Sequence, residues 1–162
     1  MKQKIIEAKG VARPTRDTRR LINLSFLHYA KEFHHAASRT RSILVRSYLL
    51  GHALELYLKI FLLKSGMTVA DLKNPRKFGH KLDRLLSEAE THGIGKLVRI
   101  SEGIRQDLLD LNEFYSAKAL QYFTLLQVFN NPTIPPLARL FRFARLLRDR
   151  LETMIWEEPL DH

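Results

Sequence analysis

SILVRSYLLGHALELYLKIFLLKSG, residues 42–66, reads as the core helix of the chain. Leu49, Leu50, Ala53, Leu54, Leu56, Tyr57, Leu58, Ile60, Phe61 and Leu62 cover most of the circumference of a helix drawn through it. A helix apolar nearly all round belongs at the centre of a core. Ser42 marks its start, and Gly66 is a natural residue just past its end. A membrane span needs about 20 residues without charge. Here His52, Glu55 and Lys59 interrupt the stretch Tyr48–Leu63, so it reads as a buried helix and not a span.

Before this stretch, a first helix is expected from about Asp17 to Ser38, capped by Asp17 or Thr18. Its inward stripe is predicted to be Ile22, Phe26, Tyr29, Phe33 and Ala36. Residues 1–17 read as a basic arm and residues 18–162 as one helical bundle. On the C-terminal side, Thr68 caps a short turn that Pro75 ends. A third helix is expected from His80 to about Thr91, stopped by Gly93. A fourth starts near Lys96 or Ser101, with Ile104, Leu108, Leu111 and Tyr115 as its stripe, and either continues or breaks near Ser116. Asn130-Asn131-Pro132 and Pro135-Pro136 form a loop before a last helix, Leu137 to about Glu157. No strand is expected. The fold class is therefore all-α, an up-and-down bundle of four to five main helices.

At 162 residues, with 45% hydrophobic and 27% charged, the chain is one globular domain. The absence of Cys removes disulfides, thiolate metal sites and thiol nucleophiles. With no apolar leader-like run in Met1–Gly10, a cytoplasmic location is expected. The 27 Lys and Arg against 17 Asp and Glu give a formal charge of +10, a field that draws polyanions.

Three constellations could carry chemistry. Arg41, Tyr48, His52, Glu55 and Lys59 recur at helical spacing and share one polar face of the central helix. They are either a Glu55–Lys59 pair beside a groove or the wall of a ligand site. His28, Glu32 and His35 also share a face, opposite the first helix's apolar stripe. Zinc wants a further converging ligand that the sequence does not name, so this is read as a solvated face and no metal is expected. The last helix carries Arg139, Arg142, Arg145, Arg148 and Arg150 on one arc, with Leu140, Phe143, Ala144, Leu147, Leu151 and Met154 on the other. Arginine forks match phosphate geometry, although a solvated face looks the same in sequence. No phosphate-binding loop, dinucleotide fingerprint, metalloprotease or serine-hydrolase motif is present, and no cofactor is expected.

Residues 51–67, GHALELYLKIFLLKSGM, followed by residues 78–94, FGHKLDRLLSEAETHGI, resemble the HEPN superfamily. The resemblance lies in Ala53, Glu55, Leu58 and Lys59, then in Gly79, His80 and Leu82. The stretch 111–123, LNEFYSAKALQYF, looks like the Tyr-containing segment before that family's last helix. The resemblance implies a helical bundle, often dimeric, that contacts RNA or a nucleotide. It also implies, for some members, partnership with a nucleotidyltransferase-type antitoxin. Active members cleave RNA with an Arg-x(4–6)-His motif near the start of the last helix, and the last helix here has no His. Arg46 and His52 have that spacing on the second helix, but positions six apart point about 120° away from one another.

The expected function is thus a non-catalytic HEPN-like module binding RNA, a nucleotide or an antitoxin-type protein. Tyr48, His52, Glu55, Lys59, His80, Arg139, Arg142 and Arg145 are its candidate ligand contacts. The first alternative is a ribonuclease with a composite site, Arg46 and His52, across a homodimer. The second is a structural interaction domain with incidental charge. A homodimer is expected, because the apolar run Tyr122–Phe129 asks to be covered.

Overall fold

The computed structural model describes residues 15–116 and 134–157, and all of its regular structure is helical. The elements are α1 (Arg16–Arg39), α2 (Ile43–Lys64), α3 (Val69–Lys73), α4 (Leu82–Thr91), a 3₁₀ turn (Ile94–Lys96), α5 (Glu102–Ser116) and α6 (Leu137–Trp156). Among the described residues no helix is long and apolar enough to cross a membrane.

α2 lies at the centre, packed against α1, α4, α5 and α6. Leu50, Ala53, Leu54, Tyr57, Leu58, Ile60 and Leu62 have no exposed surface. This is the all-round burial that its composition demands. Gly66 takes φ 101° just past its end, in the left-handed region that a side chain resists. α1 and α2 form a hairpin across Thr40–Ser42, and Arg20 of α1 meets the ring of Trp156 at the far end of α6. Lys31 on α1 pairs with Glu152 on α6 at 2.9 Å. α4 and α5 close the other flank, tied by Arg105 to Glu90 at 2.6 Å.

Several local expectations shift. The N-cap of α1 is Thr15, whose hydroxyl accepts from the Thr18 backbone N–H at 3.2 Å. Arg16 and Asp17 therefore lie in the first turn of α1. The inward face of α1 is Asn23, Leu27, Ala30 and Ala37. Phe26 and Phe33 pack only at its edge and Ile22 is half-buried, while Tyr29 is 58% exposed and Ala36 is also exposed. Two faces of α1 carry large side chains, and the one that joins Leu27 to the small Ala30 and Ala37 is the one that turns inward. Arg41 precedes the start of α2 and so is not on its polar face. α4 starts at Leu82 rather than at His80. Thr68 caps α3 in a reciprocal box with Asp71, and Ser101 caps α5 through its hydroxyl. His28, Glu32 and His35 are exposed, and Leu140, Phe143, Ala144, Leu147 and Leu151 of α6 are buried. The run Tyr122–Phe129 and the question of a break after Ser116 lie outside the described residues.

Candidate functional site

The polar face of α2 converges on Glu55. This carboxylate is buried, yet it sits among donors from three elements. Lys59, one turn on, offers its ammonium to Oε1. Tyr115, from the last turn of α5, donates its hydroxyl to Oε2 at 2.5 Å. His80, on the turn before α4, donates from Nδ1 to the same oxygen at 3.0 Å. His52 reaches the cluster indirectly. Its Nδ1 lies 2.7 Å from the Tyr115 oxygen and 3.9 Å from Glu55 Oε2. Since the tyrosine proton points at the carboxylate, the tyrosine oxygen accepts from His52 Nδ1–H. The result is a directional chain, His52 to Tyr115 to Glu55, with His80 and Lys59 closing it.

The electrostatics follow from this arrangement. Burial pushes the Glu55 carboxyl up, but the Lys59 charge and the hydrogen bonds from Lys59, Tyr115 and His80 outweigh it and hold it below the ordinary carboxylate range. Burial, and then the charge of Glu55 and its hydrogen bond, push the Tyr115 phenol far up, so it keeps its proton. Burial lowers His52, the Glu55 charge opposes this, and His80 and Lys59 add to the lowering, so its imidazole is neutral at pH 7. With Nδ1 carrying the proton, Nε2 of His52 bears a lone pair.

Aromatic rings enclose the chain. Tyr48 lies nearly parallel to His52 at 6.2 Å between centroids, and Phe33 of α1 meets His52 edge-on at 4.3 Å. His80 stands perpendicular to Tyr115 at 5.9 Å. Gly51 makes room for Tyr115, since a Cβ there would lie 2.8 Å from its Cδ2. His52 remains 24% and His80 47% exposed, so the imidazoles form the outer edge of the cluster.

His52, Glu55 and His80 bring three ligand-type atoms within 4.8 Å of one another. Their surroundings suit a proton network better than a cation. The Lys59 ammonium already sits on Glu55, and the Tyr115 hydroxyl lies between His52 and the carboxylate. A divalent ion would have to displace one and repel the other.

The structure thus brings together five of the predicted contacts, Tyr48, His52, Glu55, Lys59 and His80. It does not bring the arginines of α6 to them. Arg139 pairs with Asp107 of α5 at 3.4 Å, while Arg142 and Arg145 are exposed along α6. Arg46 and His52 diverge within the chain, for the Arg46 guanidinium lies over Phe141 of α6 at 4.7 Å. His80 does not cap α4. The first N–H of that helix, from Leu82, is accepted by Asn112 Oδ1 at 2.7 Å. The sequence placed Tyr115 in an apolar stripe and within the Tyr-containing stretch 111–123, without a polar partner. Its polar role was legible in principle, since a tyrosine at a core position needs a hydroxyl partner. Comparison of the chain with family models, with curated proteins and with solved structures finds no match.

Proposed function

We propose that the chain is a HEPN-like, non-catalytic binding module for single-stranded RNA, with the Tyr48–His52–His80 edge as its contact for a base. The observation that carries this reading is the closure of the site's chemistry on itself. Glu55 accepts from three donors and is held ionised, and Tyr115 is held protonated. His52 has one nitrogen committed to Tyr115. A group so committed orients its neighbours and leaves little for proton transfer to a substrate. The outward rings of Tyr48 and His52 form a platform of the kind on which unpaired bases stack. The formal charge of +10 supplies attraction for a phosphate backbone. The family resemblance is supported by contact between its two motif stretches, since Glu55 and His80 meet at 3.0 Å.

The test is fluorescence anisotropy with a labelled single-stranded RNA over a salt series. The expected result is a binding constant that falls linearly with log salt concentration, no cleavage of the probe, and about tenfold weaker binding for Tyr48→Ala, in line with a stacked base worth 1–3 kcal/mol. Absence of binding at low salt, or cleavage abolished by His52→Ala, would overturn the reading.

A further inference from the structure

On the flank of α2 away from Glu55, a second group of polar side chains gathers around Phe141. Arg46 lies over one part of this ring, 4.7 Å from its centroid. His34 of α1 lies against it too, at 5.7 Å and tilted by 41°. Its Nδ1 is 3.3 Å from the hydroxyl of Tyr57, a residue with no exposed surface. One and two turns further along α6, Arg145 and Arg148 follow Phe141 at i+4 and i+7, on the same face. Both act electrostatically on His34, where burial and then Arg148 and Arg145 depress protonation against the opposing pull of Asp149.

The carboxylates of this flank are already matched. Asp149 holds Arg148 at 2.8 Å, and Glu152 holds Lys31 at 2.9 Å. Among the described residues neither Arg46 nor Arg145 has an ion-pair partner. Arg46 Nε is shielded from solvent and makes no hydrogen bond. A buried N–H without an acceptor is uncommon and costly, and more so on a charged guanidinium. Its aromatic support also fixes the plane of the fork in advance, which reduces the entropy lost when an anion is gripped.

We infer that Arg46, His34 and Arg145 form an anion site for a phosphate group, with Phe141 as the platform that holds the Arg46 fork in place. Arg46 would supply the fork, Arg145 a second charge from the exposed side, and His34 a neutral ring edge. The site lies on a different flank of α2 from the Tyr48–His52 platform. It rests on the RNA-binding reading for the source of the phosphate but not for its chemistry.

Inorganic phosphate is the first probe, read by the thermal unfolding midpoint against sodium chloride at equal ionic strength. The parent protein should rise by roughly 2–5 °C at saturating phosphate. Arg46→Gln and Arg145→Gln should each lose at least half of that rise, and Arg150→Gln, a charge control about 140° round α6 from Arg145, should keep it. Should Arg46→Gln fail to fold by circular dichroism, the exposed Arg145→Gln carries the test. No rise in the parent, or an equal rise in every variant, overturns the site. A 5′-mononucleotide and a short RNA then identify the source. Equal affinity points to a free nucleotide, whereas tenfold tighter strand binding points to a backbone phosphate, and either result supports the site. A phosphate response that survives in Arg46-intact protein lacking RNA binding would sink only the RNA reading. RNA binding without any phosphate response would sink only this one.

Discussion

The two flanks of α2 solve the same problem in opposite ways. Each holds charged groups where helices pack. Around Glu55 every charge has found a partner inside the protein, so the polar cluster is a joint that ties α2 to α5 and to the turn before α4. Around Phe141 the positive charges outnumber their partners, and one donor is sealed off with none. Internal compensation makes a polar group structural, whereas a surplus of one sign makes it responsive to what binds. The two flanks should therefore react differently to substitution, acid and salt.

The largest effect is expected at Glu55. Glu55→Gln leaves Lys59 half-enclosed without its counter-charge and should lower stability by about 3 kcal/mol or more, as removal of one partner from a buried pair does. Urea unfolding monitored by circular dichroism measures it, and a loss below about 1 kcal/mol would remove the contrast between the flanks. Next come Tyr115→Phe and Gly51→Ala. The first deletes a donor to Glu55 and the acceptor for His52, at a cost of about 1–3 kcal/mol. The second drives a methyl into the Tyr115 ring, at a similar cost of about 1–3 kcal/mol. If the ring anchors the cluster, the two losses should not add in the double variant. Arg46→Met keeps an apolar stem against Phe141 while removing the orphaned donor. It should change stability by less than about 1 kcal/mol, or raise it, and a loss comparable with that of Glu55→Gln would refute the open-flank picture.

The smallest effect is the response to mild acid. His52 and His34 both have folded pKa values below the ordinary 6.5, mainly through burial. The unfolded chain then binds more protons than the folded one in the window below 6.5. Their contribution to stability is complete above that value and is lost as pH falls. The unfolding midpoint should drop between about pH 7 and pH 5.5, with a shallower slope in His34→Gln and in His52→Gln. Phosphate should weaken the His34 part of this slope, since an anion beside the ring favours its protonated form.

The central helix was legible because its apolar residues leave no side for solvent, and Thr68, Gly66 and Gly93 mark boundaries through local chemistry alone. The arginine arc of α6 was legible as a face, because periodicity on one helix is a local property. Less could be read where two elements meet. Whether the large or the small residues of α1 turn inward depends on how closely α2 approaches, and the α1 sequence supports either face. The stripe Tyr48, His52, Glu55, Lys59 was visible on one helix, but its closure by Tyr115 joins positions 60 residues apart. His80 was legible as the start of a helix and as a candidate contact, and only the packing of α4 on α2 shows its side chain reaching back to Glu55. Nothing along the chain indicates that Phe141 is a shared support for Arg46 and His34.

The seat of Arg139 has a consequence for how this chain can vary. A methyl at Gly103 would lie 1.8 Å from Nη1 and 2.8 Å from Cζ of Arg139, so any side chain there makes the flexible end of that arginine move. Arg139 is also the counter-charge of Asp107, which is buried and has one oxygen without a hydrogen bond. A side chain at residue 103 therefore shifts the guanidinium and loosens its hold on Asp107. Positions 103, 107 and 139 should be coupled in double-variant cycles: Gly103→Ala should cost little in the parent, where the arginine can swing aside, and nothing in an Asp107→Asn, Arg139→Gln background.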